Sequence, residues 1–260
     1  MSQDQVSLKE LLELSQEWAQ DAGAITLEHF GGLLAPELKG DGTPVTAADR
    51  ASEIHLRTRI QDRYPRHGII GEEFGETNAG ATVRWIIDPI DGTKSFIRGV
   101  PLFGVLIAVE VAGAPVVGVC HFPGLAVTIA AATGEGCYWN GGRARVSAVS
   151  DLSASAVLTS DPAVLLDGPM APGWERLVRS AALARTWGDC YGHAMVATGR
   201  AEVMVDPILA PWDAAPFVPI LSEAGGRFTD RMGVAGCHGG SGISTNGILH
   251  EEVLRILNPA

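Results

Sequence analysis

Asp88 and Asp91 close an apolar run, Trp85-Ile86-Ile87-Asp88-Pro89-Ile90-Asp91, and Gly92 and Thr93 follow directly. Two carboxylates, a glycine and a hydroxyl at the end of a strand-like segment are suited to holding a metal ion and a phosphate. Pro89 restrains the turn that presents the two aspartates. Further carboxylates stand in comparable settings: Asp49 after Val45-Thr46-Ala47-Ala48, Glu72 and Glu73 after Ile69-Ile70-Gly71, and Asp213 after Pro211-Trp212. Glu72, Asp88, Asp91 and Asp213 offer hard oxygen ligands of the kind Mg²⁺ takes while keeping water and substrate oxygens in its shell. Gly92 and Thr93 are expected to open a short helix through Phe96, turning backbone N–H groups toward phosphate oxygens, with glycine permitting close approach.

Plainer readings stand beside these. An isolated Asp-x-x-Asp is usually a solvated turn or a helix cap. Asp49 lies three residues after Thr46, the spacing of a capping box, so capping and catalysis are both open and compatible. Glu73 reads as a supporting carboxylate, Lys94 as a solvent-facing charge, and the lone His193 as a structural histidine. The haloacid dehalogenase phosphatases also place an aspartate pair at a strand end, but with one residue between its members. Here Pro89 and Ile90 intervene, which changes the alternation and argues against a phosphoaspartate mechanism.

Positioning these groups requires a mixed scaffold. Leu8, Leu11, Leu12, Trp18, Ala22, Ile25 and Phe30 recur at helical spacing and predict a long first helix ending before Gly31-Gly32. After the loop Gly40-Asp41-Gly42-Thr43-Pro44, Thr46 caps a second helix with Asp49 in its first turn. From Gly104 to Ala132 the β-rich runs 104–111, 115–121 and 127–132 predict an antiparallel meander, and Trp139-Asn140-Gly141-Gly142 a hairpin. The later residues alternate: a strand at 156–160, a helix at 174–184, a helix at 189–199, a strand at 201–206 and a helix at 212–224. Strands at 226–229 and 242–245 and a helix at 248–257 complete the order. Pro219 is expected to kink the helix after Asp213 or cost it a hydrogen bond.

With 260 residues, 46% of them hydrophobic, the chain has ample material for a core. The expectation is a single compact domain with an N-terminal half over about 1–150 and an α/β half over about 151–260. A formal charge of −11 argues against sequence-independent nucleic-acid binding, which needs a basic footprint. It is compatible with a phosphorylated substrate, because metals held by carboxylates reverse the local field. Met1 to Lys9 is polar and unlike a secretion signal, and no apolar run approaches the roughly 20 residues of a membrane span; a cytoplasmic location is expected. Cys120, Cys137, Cys190 and Cys237 are widely spaced and read as buried thiols.

The Gly-Glu-Glu turn at 71–73, the segment Trp85 to Thr93, and Trp212-Asp213 followed by Glu223-Ala224-Gly225-Gly226 stand in the order of the inositol monophosphatase superfamily, which the chain resembles from about Leu8 to Leu257. The resemblance implies an α+β fold, the layered α-β-α-β-α sandwich of the inositol monophosphatase and fructose-1,6-bisphosphatase type, and Mg²⁺-dependent hydrolysis of a small phosphomonoester. It implies that Glu72, Asp88 and the Ile90 carbonyl hold a first metal, and that Asp88, Asp91 and Asp213 hold a second. A third, weaker metal is expected near Glu72, giving two or three Mg²⁺ per site. Asp49, Thr93 and Glu72 are the expected catalytic residues, with Thr93 paired to Asp49 to orient water and accept its proton. Gly92, Thr93, Gly188, Asp189, Asp206 and Asp213 are the expected substrate contacts, and a homodimer is the usual assembly.

Within the superfamily, Trp187-Gly188-Asp189-Cys190-Tyr191-Gly192 followed by Val196-Ala197-Thr198-Gly199 looks most like the branch that acts on L-histidinol phosphate in histidine biosynthesis. Asp189 and Asp206 would suit a cationic leaving group better than a neutral polyol. A helix cap for Asp189 and a strand-end turn for Asp206 remain open. The alternatives are a broader inositol or sugar monophosphatase with the same chemistry, and a silent scaffold of the same fold. Arg98 and Tyr191 are open between a pocket mouth and a subunit contact.

Overall fold

The computed structural model describes residues 7–32, 37, 38, 40 and 44–258. Met1 to Val6, Asp41, Gly42 and Thr43 of the segments read above lie outside the described residues. Among the described residues, no helix is long and apolar enough to cross a membrane, and the four cysteines are free and buried.

Two sheets form the frame. The larger has eight strands, and its interior strand Val83–Asp91, the central strand of the site, pairs in parallel with Gly68–Gly71 on one side and antiparallel with Gly104–Val111 on the other. The meander continues through Ala114–Phe122 and Val127–Ala132 to the hairpin Gly136–Trp139 and Gly142–Arg143. Asn140 and Gly141 turn it with φ of 46° and 77°, the positive pair that an Asn-Gly turn requires. The smaller sheet has five strands, with Val203–Asp206 between the parallel Ala156–Leu158 and the antiparallel Gly242–Thr245.

Alternation along the strands sets the layers. Ile87, Val105, Ile107 and Val109 face Leu11, Trp18 and Ala22 of the helix Leu8–Leu27 and Leu56 and Ile60 of the helix Ala47–Arg63. The opposite face, with Ile86, Leu106 and Ala108, packs on Ala194 and Val196 of the helix Asp189–Ala197 and on Phe217, Ile220 and Leu221 of Phe217–Ala224. These helices also cover Leu158 and Met204 of the smaller sheet. Val157, Val203, Val205 and Ile243 on its far side meet Trp174 and Leu177 of Ala171–Ser180 and Val253 and Leu257 of His250–Leu257. The order is helix, sheet, helix, sheet, helix, the expected α+β sandwich. Burial on both faces explains why Trp85, Ile86 and Ile87 form an unbroken apolar run.

Two expected elements differ. The helix expected at 174–184 ends at Ser180; Ala181 is extended, and Leu183–Arg185 pairs with Ala156–Leu158 as a strand. The helix expected at 212–224 is two, Pro211–Ala214 and Phe217–Ala224, broken at Ala215 and Pro216. Pro219 causes no kink. It stands third in the second helix, where a backbone N–H has no intrahelical acceptor to lose.

Candidate active site

The central strand delivers its two aspartates through a β-bulge. Asp88 lies opposite Leu106 and Asp91 opposite Gly104, so three steps on one strand match two on its neighbour. On a regular strand, residues three apart point to opposite faces; the extra residue brings both carboxylates to one side. The Ile90 N–H donates to Asp88 Oδ1 at 2.9 Å, which fixes the first carboxylate within the turn. Asp213 comes from the C-terminal half, where the Ala210 N–H donates to its Oδ2 at 2.9 Å and holds it in the first turn of Pro211–Ala214. Oxygens of Asp88, Asp91 and Asp213 lie within 4.8 Å of one another.

Such a cluster is electrostatically costly. Burial first, then the charges of Glu72, Asp213 and Asp91, push the Asp88 carboxyl well above the usual range. Burial and the charges of Asp189 and Asp213 do the same to Asp91, although its Oδ2 accepts the Cys190 N–H at 2.5 Å. Asp213 rises to about 7, from burial first and then the charge of Glu72, against the opposing Ala210 hydrogen bond. A divalent cation would relieve this repulsion while taking the oxygen donors it prefers, so the donor set fits Mg²⁺.

Glu72 is positioned from below by a residue the sequence reading passed over. Glu53, fully buried on the helix Ala47–Arg63, accepts the Glu73 N–H at 2.7 Å and the Phe74 N–H at 3.2 Å, while Arg57 Nε donates to it at 2.7 Å. The Glu72 N–H donates to the Ile87 carbonyl at 3.3 Å, tying the turn to the central strand. Asp49, one helical turn before Glu53, forms the expected capping box and accepts the Thr46 N–H at 2.8 Å and hydroxyl at 2.5 Å, both on Oδ2. Its Oδ1 is buried without a partner, and burial holds the carboxyl above its ordinary range. The expected pairing of Thr93 with Asp49 is not formed. The Thr93 hydroxyl donates instead to the Ile90 carbonyl at 3.0 Å, an acceptor three residues back in the same turn.

The other carboxylate pair is assembled by the smaller sheet. Asp206 ends Val203–Asp206 and accepts the Ser160 N–H at 3.2 Å on Oδ1 and His193 Nε2–H at 3.2 Å on Oδ2. Asp189 begins its helix in the left-handed region, φ 51°, where aspartate is tolerated, and its N–H donates to Ser160 Oγ at 2.7 Å. A side chain at Gly188 would run into the backbone of Ser160, so glycine is required for this approach. The Asp189 carboxyl is raised to about 6, by burial first and then by the charge of Asp206, with Lys94 opposing.

One cavity of about 620 Å³ joins the two groups. Glu72, Asp88, Ile90, Asp91, Gly92, Thr93 and Asp213 line it, as do Asp189 and Asp206; Asp49 and Gly188 do not. Gly92, with φ 83°, opens the short helix Thr93–Phe96. Lys94 reaches the rim and is 3.9 Å from Asp161. His193 also lines the cavity, buried, whereas Tyr191 stacks edge-on against Phe122 at 5.5 Å and Arg98 is not a lining residue. Ser160 and Glu53 carry no signal in residue type alone, although the strand end at 156–160 and the helical turn from Asp49 point to their neighbourhoods.

The Inositol monophosphatase family model matches residues 7–259. The chain is 46% identical to a histidinol-phosphatase of Chlorobaculum parvum, over 94% of this chain and 95% of that one. It is 40% identical to a histidinol-phosphatase of Mycobacterium tuberculosis, over 95% and 97%. The crystal structure of the extragenic suppressor protein suhB from Bartonella henselae superposes with a TM-score of 0.90 at 28% identity, covering 96% of this chain and 99% of that one. With this coverage and the cavity above, the chain belongs to the inositol monophosphatase family and is a phosphatase.

Proposed function

We propose that the enzyme hydrolyses L-histidinol phosphate to L-histidinol and inorganic phosphate, in the cytoplasm and as a step of histidine biosynthesis. The observation that carries this reading is the pair Asp189 and Asp206 in the same cavity as Asp88, Asp91 and Asp213. A leaving alcohol bearing an ammonium and an imidazole finds two carboxylates there, whereas a neutral polyol would leave buried charge unpaired. Relatives named histidinol-phosphatase, similar over nearly the full chain, support the same substrate.

Glu72, Asp88 and the Ile90 carbonyl would hold one Mg²⁺, Asp88, Asp91 and Asp213 a second, and Glu72 a weaker third. Bound Mg²⁺ supplies Lewis-acid charge to the phosphoryl oxygens and lowers the pKa of water. The backbone N–H groups of Gly92 and Thr93 orient the phosphate. Thr93 directs the attacking water, which requires its hydroxyl to turn from the Ile90 carbonyl, and the unpartnered Oδ1 of Asp49 is the acceptor assigned to the proton. Water attacks phosphorus in line, the bond to the leaving oxygen breaks, and that oxygen takes a proton from solvent, while Asp49 returns the proton it accepted to solvent. A homodimer of single-domain protomers belongs to the same reading.

Phosphate release with Mg²⁺ from histidinol phosphate and inositol 1-phosphate decides the substrate. A preference of about 100-fold in kcat/KM, roughly 2.7 kcal/mol of transition-state discrimination, is expected; a flat profile overturns the substrate and leaves the chemistry.

A further inference from the structure

Away from the phosphatase cavity, a buried carboxylate oxygen is left over. Glu110 on Gly104–Val111 is fully buried, and Arg84 grips only its Oε1, with Nε at 2.7 Å and Nη2 at 2.6 Å. Oε2 has no hydrogen-bond partner. It points toward Cys237 and His238, in the segment that joins Arg227–Thr229 to Gly242–Thr245; His238 Nε2 is 3.8 Å from it. One ligand atom each from Glu110, Cys237 and His238 lie within 4.8 Å of one another. Glu110 pairs with Arg84, four residues along the central strand from Asp88, which separates this cluster from the metal-binding carboxylates by about 13 Å.

We propose that Glu110, Cys237 and His238 form a second metal site, for Zn²⁺, with water in the fourth position. Thiolate, imidazole and carboxylate together suit a borderline cation and not Mg²⁺, which takes oxygen donors. Tetrahedral Zn²⁺ with bonds of roughly 2.0–2.3 Å needs ligand atoms about 3.4–3.7 Å apart, so the cluster must close by about 1 Å. His238 can supply that movement, since its side chain is 58% exposed. Cys237 is buried, and its thiol is held up at about 11 by burial and then by the Glu110 charge; the metal displaces that proton. Occupancy would pin the 230–241 segment to the larger sheet. That segment meets the phosphatase cavity where the Leu209 N–H donates to the Gly240 carbonyl at 3.1 Å.

Co²⁺ titrated into the full-length protein, with Mg²⁺ present in excess, tests the site. A thiolate-to-cobalt charge-transfer absorption is expected at one equivalent and should be bleached by Zn²⁺. The all-oxygen centre cannot produce it. Cys237→Ser should abolish the band, and His238→Ala, at an exposed position that leaves the fold intact, should weaken Co²⁺ binding on the order of 10- to 100-fold. Asp88→Asn should leave the band unchanged. No band in the parent protein, or a band that survives Cys237→Ser, overturns the site.

Discussion

His193 Nε2 stands 3.2 Å from Asp206 Oδ2, while its Nδ1 is 2.7 Å from Ser244 Oγ. Both ring nitrogens are thus engaged; because a carboxylate only accepts, Nε2 carries a hydrogen and donates to Asp206, while Nδ1 pairs with the serine hydroxyl. Phe217 and Phe228 pack against the ring at 4.9 and 5.7 Å, so it cannot turn away. His193 therefore positions Asp206. Replacing His193 by Ala should raise KM for histidinol phosphate about 10-fold, roughly 1.4 kcal/mol, and leave kcat on a small uncharged-alcohol phosphoester nearly unchanged. Gln, whose amide can donate to Asp206, should recover part of the loss. Equal falls in kcat on both substrates would show that His193 acts on the shared chemistry or on folding.

Asp88 is the most crowded carboxylate of the site, buried beside Glu72, Asp213 and Asp91. Its removal should act in opposite directions on activity and stability. Asp88→Asn is expected to lower kcat/KM by about 1,000-fold, roughly 4 kcal/mol. In EDTA the same variant should melt higher than the parent, by about 2–4 °C for each kcal/mol of repulsion relieved. Thermal denaturation with and without Mg²⁺ separates the effects, because the parent should gain more from the metal. A parental turnover rate would remove Asp88 from the assigned metal site.

The same repulsion predicts a pH dependence. Asp189 at about 6 and Asp213 at about 7 bind their protons more tightly in the folded chain than in the unfolded one. The stability they contribute is complete below about pH 4 and is lost as pH rises through their folded values. His250 acts in the other direction. Buried between the hydroxyls of Thr229 and Thr245, it is lowered to about 4, so its contribution is present above about pH 6.5 and fades on acidification. Only the carboxylates answer to Mg²⁺. Melting curves from about pH 5.5 to 8 should show a gain from Mg²⁺ that grows with pH; a constant gain would place Mg²⁺ binding away from these groups.

Much of this site is legible before folding, because the carboxylates assigned to the metal directly follow apolar segments. Asp88 and Asp91 follow Ile86 and Ile87, and Asp213 follows Pro211-Trp212, so residue type and setting agree. The layers are legible for a similar reason: an unbroken apolar run such as Trp85 to Ile87 marks a strand buried on both faces. The supports are harder to see. Glu53, Ser160 and Ser244 look like ordinary helix, turn and strand residues, and their importance lies in partners 20, 46 and 51 residues away. Element ends also depend on such partners. The strand Leu183–Arg185 exists because Ala156–Leu158 offers an open edge, and local propensity does not report that edge.

Gly71 shows how a distant support reaches a carboxylate assigned to the metal. It pairs with Ile87 on the central strand and with Gly75 across the turn, and a Cβ at this position would fall within the Glu53 carboxylate. Glu53 cannot yield readily: it is buried, gripped by Arg57, and accepts both the Glu73 and Phe74 N–H groups. Gly71→Ala must displace either the carboxylate or the turn that carries Glu72. The expected cost is about 1–3 kcal/mol from unpaired buried polar groups, with weaker Mg²⁺ affinity because Glu72 is moved. Arg57→Ala supplies a comparison, since it removes the bonds to Glu53, Thr77 and the Gly75 carbonyl without placing an atom against the Glu53 carboxylate, and should weaken Mg²⁺ less. Mg²⁺ titrations followed by thermal shift read both effects. Parental Mg²⁺ affinity in Gly71→Ala would mean that Glu72 is placed independently of Glu53.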